Sequence, residues 1–175
     1  MNNEKIAKKQ EDTHELPNLK SLGRVARTGK GFLCFIFANN SVLLEKSGAA
    51  WLAPNGDIAD GESPEHAAAT KVYEQTGIIV NALEPVGEVL VAYAKSSESN
   101  RHMFVFVSQD FSGSEKNGST LRWFEKSNMP VKEIPEAHKI LLQLVMSGKR
   151  FSGELYLEEG SNGTGKLIKY DMKEM

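Results

Sequence analysis

The residues best suited to chemistry lie close together in residues 56–78, GDIADGESPEHAAATKVYEQTGI. Lys71, Glu74 and Gln75 stand at positions i, i+3 and i+4 of a predicted helix, so their side chains share one helix face. The Glu74 carboxylate could bind a divalent cation, since magnesium prefers oxygen ligands. The Lys71 ammonium could instead bind a phosphate as a point charge. The segment therefore predicts a site for phosphate chemistry in which carboxylate and ammonium groups are mixed.

The spacing of this segment resembles the Nudix box, the pattern G-x5-E-x7-R-E-U-x-E-E-x-G-U, in which U is a bulky aliphatic residue. The matching positions are Gly56, Glu62, Val72, Glu74, Gly77 and Ile78. The pattern asks for Arg, Glu and Glu where the chain has Thr70, Lys71 and Gln75. The approach WLAPNG and the later stretch LRWFEKSNMP also resemble segments common in this family. The frame of the box is kept, and its charges have changed.

The resemblance to the Nudix superfamily, which includes the MutT-like hydrolases, implies a fold and an activity. The implied fold is an α/β fold of the α/β/α sandwich type, with a mixed β-sheet, two main helices and a C-terminal hairpin. The implied activity is hydrolysis of a pyrophosphate linked to a nucleoside, with magnesium as cofactor. The implied metal ligands are Glu74 and Glu62. The implied catalytic acids are Glu74 and Glu115, the only acid of the loop SGSEKNGST.

The departures from the box predict weak or lost hydrolysis. Gln75 can offer only a neutral carbonyl oxygen, and Lys71 places an ammonium where the family has a carboxylate. An ammonium and a magnesium ion in the same cleft repel by several kcal/mol at an effective dielectric of about 20. We therefore expect tight magnesium binding to be lost. Thr70 stands where the family has an Arg that normally pairs with the acid at position 62. Glu62 is then either an outlying ligand or a surface acid.

Two interpretations of Lys71 follow. Its ammonium either replaces the charge of the metal, pairing with Glu74 or a ligand phosphate, or belongs to a solvent-exposed lysine in a decayed site. Lys46 stands where many family members place a basic phosphate contact, so Lys46 and Lys71 are the predicted phosphate ligands. The predicted partner is a small-molecule nucleotide or another diphosphate compound.

The sequence leaves three functions open. The first is a nucleotide-diphosphate binder with weak or no hydrolase activity. The second is an active magnesium-dependent pyrophosphohydrolase that uses acids outside the box. The third is a non-catalytic interaction domain whose cleft binds no small ligand.

Residues for recognition of a nucleobase are less apparent. The start of the last helix, residues 134–137, holds the acid Glu136 and no aromatic residue, which argues against the specificity of the subgroup that hydrolyses oxidised purine nucleotides. Glu136 could accept hydrogen bonds from a purine edge or simply complement the helix dipole. His66, His102 and His138 lack metal-ligand spacing to one another, so we expect them on the surface.

The elements that must position these residues follow from capping and periodicity. A helix is predicted from about 64 to 76, with Ser63 as N-cap, Pro64 in the first turn and Gly77 as C-cap. A second helix is predicted over 135–147 from an apolar stripe. Strands are predicted at about 31–37, 42–46, 51–52, 84–94, 103–111 and 121–124, a turn at 54–56, and a terminal hairpin after residue 150.

Bulk composition places limits on the function. The 175 residues suit one domain, and we expect residues 1–17 to be a flexible segment before a single domain at 18–175. A net charge of −2 gives no general attraction to nucleic acid or membranes. The start lacks a secretory h-region, and the single cysteine, Cys34, is expected to be buried. A cytoplasmic protein is predicted, and both a monomer and a homodimer are left open.

Overall fold

The computed structural model describes residues 29–95, 97–117, 120–158 and 165–175. The predicted flexible segment 1–17 lies outside these residues. The strands are β1 (Gly29–Ala38), β2 (Ser41–Ser47), β3 (Ala50–Leu52), β4 (Asn55–Ile58), β5 (Ile79–Val80), β6 (Glu84–Tyr93), β7 (Arg101–Ser108), β8 (Phe111–Ser112), β9 (Leu121–Glu125), β10 (Phe151–Leu157) and β11 (Leu167–Glu174). The helices are α1 (Pro64–Thr76) and α2 (Glu136–Met146), with a short 3-10 turn at Ser97–Ser99.

The main sheet is mixed, as predicted. Its strand order is β11-β10-β6-β7-β1-β2-β3, with β4 joined to β1 and β9 joined to β2. Strand β1 runs parallel to β7, and β10 runs parallel to β6. The other pairings of this sheet are antiparallel, and β10 and β11 form the predicted terminal hairpin. The small strands β5 and β8 pair separately and were not predicted as a sheet.

Strand β1 changes its partner along its length, and this change creates the cleft. Its last residues pair with β2 through Phe37–Val42 and Ala38–Ser41. Its first half pairs with β4, from Lys30–Ile58 to Leu33–Asn55. Strand β2 therefore separates from β1 soon after the hairpin turn. The sheet opens at this point, and the gap lies beside the box loop.

The two helices cover opposite faces of β1, which confirms the α/β/α sandwich. Phe32, Cys34 and Ile36 are buried with residues of α1 in one apolar cluster. The alternate residues Leu33, Phe35 and Phe37 are buried with residues of α2 in the other. Successive side chains of a strand point to opposite faces, so a continuous apolar run supplies both cores. Burial of Cys34 raises the pKa of its thiol to about 12, consistent with the expected buried residue.

Helix α1 begins and ends at the predicted residues. The Ser63 side chain accepts a hydrogen bond from the His66 backbone N–H at 3.1 Å, and Pro64 occupies the first turn. Gly77 has a positive φ of 81°, a conformation that glycine adopts without steric cost, and its N–H donates to the Tyr73 carbonyl. These caps fix which residues of the helix face the cleft.

The predicted turn at residues 54–56 is wrong in part, because Asn55 begins strand β4. The turn propensity of Pro, Asn and Gly is a local property and does not predict strand pairing with residues distant in sequence. Here the first half of β1 offers unpaired backbone groups, and β4 satisfies them. The box loop is thus held against the sheet from its first residue. Among the described residues, no helix has the length and apolar character that a membrane span requires.

We expect Thr76→Val to destabilise the protein by about 1–3 kcal/mol, because it leaves a buried backbone N–H without a partner. Thr76 is fully buried, and its hydroxyl donates to the Val72 carbonyl at 2.7 Å and accepts from the Ile78 N–H at 3.0 Å. Urea unfolding measures the change. Thr70→Val, on the exposed face of the same helix, is the control and should change stability by less than about 0.5 kcal/mol. Equal effects of the two variants would contradict this role.

Candidate functional site

The gap between β1 and β2 is the mouth of a cleft of about 650 Å³. Its interior is lined mainly by apolar side chains of β1, β6, β7, β10 and α2, and its rim is polar. The apolar lining residues are Leu33, Leu52, Val91, Met103, Ala137, Leu141, Leu155 and Leu157. The polar or charged lining residues include Glu45, Lys46, Asn55, Asp57, Gln75, Tyr93, Arg101 and His138. A cavity of this size and character suits a small organic molecule with a charged part.

Gln75 uses its amide to join α1 to β4. Its Nε2 donates to the Asn55 carbonyl at 2.6 Å, and its Oε1 accepts from the Asn55 backbone N–H at 3.3 Å. The side chain therefore binds both polar groups of one backbone residue, as a neighbouring strand would. A carboxylate could accept from the N–H but could not donate to the carbonyl. The amide oxygen expected as a weak metal ligand is thus engaged by the backbone.

Lys71 lies against the box loop. Its ammonium donates a hydrogen bond to the backbone carbonyl of Asp57, and the side chain is partly buried. The stem packs on Gly56, where an added β-carbon would lie 3.1 Å from Lys71 Cδ. The absence of a side chain at Gly56 therefore makes room for the lysine. Asp57 lines the cleft, so the Lys71 ammonium lies next to a cleft-lining residue, although Lys71 itself is not part of the lining.

Glu74 is exposed, and a second ammonium group lies at its backbone. Lys116 donates from its side chain to the Glu74 carbonyl and from its backbone N–H to the Thr76 carbonyl at 2.9 Å. A cation at the C-terminus of a helix is favoured by the last carbonyls and the helix dipole. These contacts dock the loop that carries Glu115 on the end of α1. Glu115 itself is exposed.

Glu62 closes the box loop. Its carboxylate accepts from the Ala59 backbone N–H at 3.1 Å, and its own N–H donates to the Ala59 carbonyl at 3.1 Å. The loop thus keeps its shape with Thr70 in place of the family's Arg. The described contacts give Glu62 a structural role, and its role as a metal ligand stays a prediction.

The donor set around the box does not fit magnesium. Magnesium needs octahedral oxygen ligands, usually including one or two carboxylates. Among the residues that the structure describes, no three His, Cys, Asp or Glu side chains lie close enough together to hold a metal ion. Lys71 and Lys116 place ammonium groups on carbonyl oxygens of the loop and helix instead. Two protein cations thus contact the box and the end of its helix.

Lys46 lies at the cleft mouth but is paired. Its ammonium forms an ion pair with Glu133 and lies 5.0 Å from the centroid of the Trp51 ring. The hydrogen bond and charge of Lys46 lower the pKa of Glu133, which keeps that carboxylate ionised. The predicted phosphate ligand is thus positioned at the cleft, and a ligand must compete with Glu133 for it.

Arg101 also belongs to the cleft and is not among the site residues predicted from the sequence. Its guanidinium pairs with the Asp57 carboxylate, with Nε 3.2 Å from Oδ1, and Nη1 donates to the carbonyls of Glu98 and Asn100 at 3.1 and 3.0 Å. The side chain lines the cleft. No local motif identifies it, because its position follows from the parallel pairing of β7 with β1. Arg101 and Lys71 thus bind the same loop residue from two sides.

The fold and cleft define an α/β domain with a nucleotide-sized cleft beside a loop–helix box. A family model described as the NUDIX domain matches residues 27–145. The chain belongs to the Nudix family, which confirms the resemblance found from the sequence.

Comparisons with known proteins agree with this assignment. The oxidized purine nucleoside triphosphate hydrolase of Mus musculus is 20% identical over 127 residues, which cover 71% of this chain and 78% of that protein. The crystal structure of the Bacillus halodurans MutT protein has a TM-score of 0.74 and 21% identity, over 83% of this chain and 97% of that one. The NUDIX domain of Shewanella oneidensis NrtR complexed with ADP ribose has a TM-score of 0.54 and 17% identity, over 69% of this chain and 88% of that one. At these identities the solved structures show the fold alone.

We expect Gln75→Glu to destabilise the protein by about 1–3 kcal/mol, although it restores the acid of the family pattern. The carboxylate has no proton to donate to the Asn55 carbonyl and meets that oxygen at close range. Chemical unfolding at neutral pH measures the loss. Gln143→Glu makes the same change on the exposed face of α2 and should alter stability by less than about 0.5 kcal/mol. A Gln75→Glu variant as stable as the parent would show that the amide does not hold β4.

Proposed function

We propose that the chain binds a nucleoside diphosphate or a related diphosphate compound without magnesium, and hydrolyses it weakly or not at all. The observation that carries this proposal is the contact between the Lys71 ammonium and the Asp57 carbonyl. It places a protein cation next to a residue that lines the cleft, in the box where the family pattern has a carboxylate.

The charges around the rim favour a phosphate over a free metal ion. Lys46 and Arg101 line the cleft, where they pair with Glu133 and Asp57, and Lys71 lies next to the cleft-lining Asp57. Two unit charges of like sign about 4 Å apart repel by about 4 kcal/mol at an effective dielectric near 20, and a divalent ion meets twice that repulsion. A diphosphate gains from the same charges, and guanidinium and ammonium groups bind its oxygens well.

Among the described residues, no three acidic, histidine or cysteine side chains cluster where they could hold a metal for hydrolysis. Glu74 and Glu115 are exposed, Gln75 is bound to Asn55, and Glu62 is bound to Ala59. General-base catalysis requires a carboxylate within hydrogen-bond reach of the attacking water and of the bound substrate. Binding through cations needs no such base, so it can persist where turnover has been lost.

The relatives supply suitable probe compounds. One neighbour in fold holds ADP ribose, and one relative in sequence acts on oxidized purine nucleoside triphosphates. Both compounds join a nucleoside to a chain of phosphates. ADP is the simplest probe of this class.

An active magnesium-dependent pyrophosphohydrolase is the second candidate. The similarity to the oxidized purine nucleoside triphosphate hydrolase of Mus musculus favours it. The docking of the Glu115 loop on the end of α1 also favours it, since Lys116 brings the neighbouring acid near the box helix. Turnover of nucleotides with magnesium, abolished by both Glu74→Gln and Glu115→Gln, would establish this activity and overturn the proposal.

We expect ADP to bind equally well with magnesium and with EDTA, and Lys71→Met to weaken binding at least about tenfold, or ~1.4 kcal/mol. Methionine keeps the apolar stem on Gly56 and removes only the ammonium. Titration calorimetry measures both effects. Lys132→Met, on an exposed loop residue away from the cleft lining, is the matched control and should leave affinity unchanged.

Three outcomes would count against the proposal. ADP binding that requires magnesium would show that a metal, not Lys71, supplies the charge. ADP binding that is unchanged in Lys71→Met would show that the Lys71 ammonium does not bind the phosphates. No binding and no thermal shift with ADP or ADP ribose would favour a non-catalytic interaction domain.

A further inference from the structure

Strand β11 forms one end of the main sheet, and among the described residues only its edge toward β10 is paired. The Met175 backbone N–H donates to the Arg150 carbonyl at 2.9 Å, and this bond sets which groups of β11 face β10. Because such bonds alternate along an antiparallel pair, the backbone groups of Asp171 point toward β10. Those of Tyr170 and Met172 point outward. The strand therefore presents donors and acceptors to a further strand.

The α2 face of β11 is apolar and only partly covered. Tyr170 lies opposite Leu155 and Met172 lies opposite Gly153, so both side chains share the face of the core cluster that contains α2. Tyr170 is nevertheless 54% exposed, and Ile168, two residues earlier, is 42% exposed. The apolar face of the sheet thus extends to its outer edge, where large side chains meet solvent.

The other face of β11 carries charges that are not balanced. Asp171 lies directly opposite Glu154 of β10, and like charges in this position destabilise a sheet. The ion pairs among the described residues include neither of these acids, nor Lys169. A cation on the outer side of Asp171 would offset the repulsion.

A second copy of β11 supplies that cation in one antiparallel register. When a two-fold axis passes through Tyr170, Lys169 of each copy lies opposite Asp171 of the other. Tyr170 then meets Tyr170, and Ile168 meets Met172. Apolar groups pair on one face and opposite charges pair on the other, which are favourable cross-strand combinations. Moving the axis by one residue, to Lys169 or to Asp171, places like charges opposite each other.

We propose that β11 is a dimerisation edge, at which two copies of this chain pair antiparallel about Tyr170 and form one continuous sheet. The occupant is a second copy because the order Lys169, Tyr170, Asp171 is complementary to itself. Lysines on an edge strand commonly prevent such pairing, but here the lysine at position 169 meets an acid. None of the residues that line the cleft belongs to β11, so this inference goes beyond the proposed function and does not depend on it.

Sedimentation velocity on the full chain, from micromolar to millimolar concentration, tests the proposal. We expect the parent chain to form dimers in this range. Lys169→Asp and Asp171→Lys each place like charges opposite each other at two symmetric positions, so each should weaken the dimer at least about tenfold. Lys173→Asp is the matched control, because it makes the same charge change on the same face but lies opposite Leu167 in the dimer. Its effect should be smaller than that of either variant.

Mixing the two charge-reversed variants tests the register itself. In pairing about Tyr170, a Lys169→Asp strand complements an Asp171→Lys strand at both positions. The equimolar mixture should therefore dimerise about as well as the parent, and so should the double variant that carries both changes. Neither single variant should do so alone.

Tyr170→Pro provides a test that does not depend on charge. It removes an N–H that points away from β10, and edge strands accept proline at such positions, so the variant should fold by circular dichroism and remain monomeric. It replaces the charge variants if those do not fold. A parent chain that stays monomeric at millimolar concentration would overturn the proposal. A dimer that survives these substitutions, or a mixture that does not recover dimerisation, would overturn it as well.

Discussion

The position of strand β4 is the constraint on which the site depends. One edge of β4 pairs with β1, and this pairing holds β4 in the sheet. From the other side, Gln75 binds the backbone of Asn55 and Lys71 binds the carbonyl of Asp57. Arg101 then pairs with the Asp57 carboxylate. The four residues of β4 thus connect the sheet, the box helix and the cleft. A shift of β4 would displace all three.

The same contacts explain why the box keeps its frame with altered charges. In this chain, two of the positions where the family pattern has acids serve to hold β4. An ammonium on a carbonyl oxygen and an amide on a backbone peptide are favourable without a metal, whereas clustered carboxylates need a cation to offset their repulsion. Lys71 has three donors and uses one on Asp57, so the others can bind a phosphate. Structural support and ligand binding are compatible in this arrangement.

The frame of the fold was predictable because its signals are local. Ser63, Pro64 and Gly77 mark the ends of α1 through capping chemistry, and the apolar run of β1 supplies both cores by simple alternation. The pairing of β4 was not predictable, since it depends on where β2 leaves β1. Arg101 was missed for the same reason. Its place in the cleft lining comes from strand register, and it stands in no motif. The directions of the Lys71 and Gln75 side chains also required the structure, because both are set by backbone groups on β4.

The proposed function requires that the box use its own cations in place of a metal. Manganese tests it most directly, because it accepts the same oxygen ligands as magnesium and the free ion can be counted by electron paramagnetic resonance. The chain without nucleotide should bind no manganese at millimolar concentrations, and a variant with Lys71→Glu and Gln75→Glu together should gain a site if it folds. One site of micromolar affinity in the parent chain, lost in Glu74→Gln, would show instead that the box holds a metal.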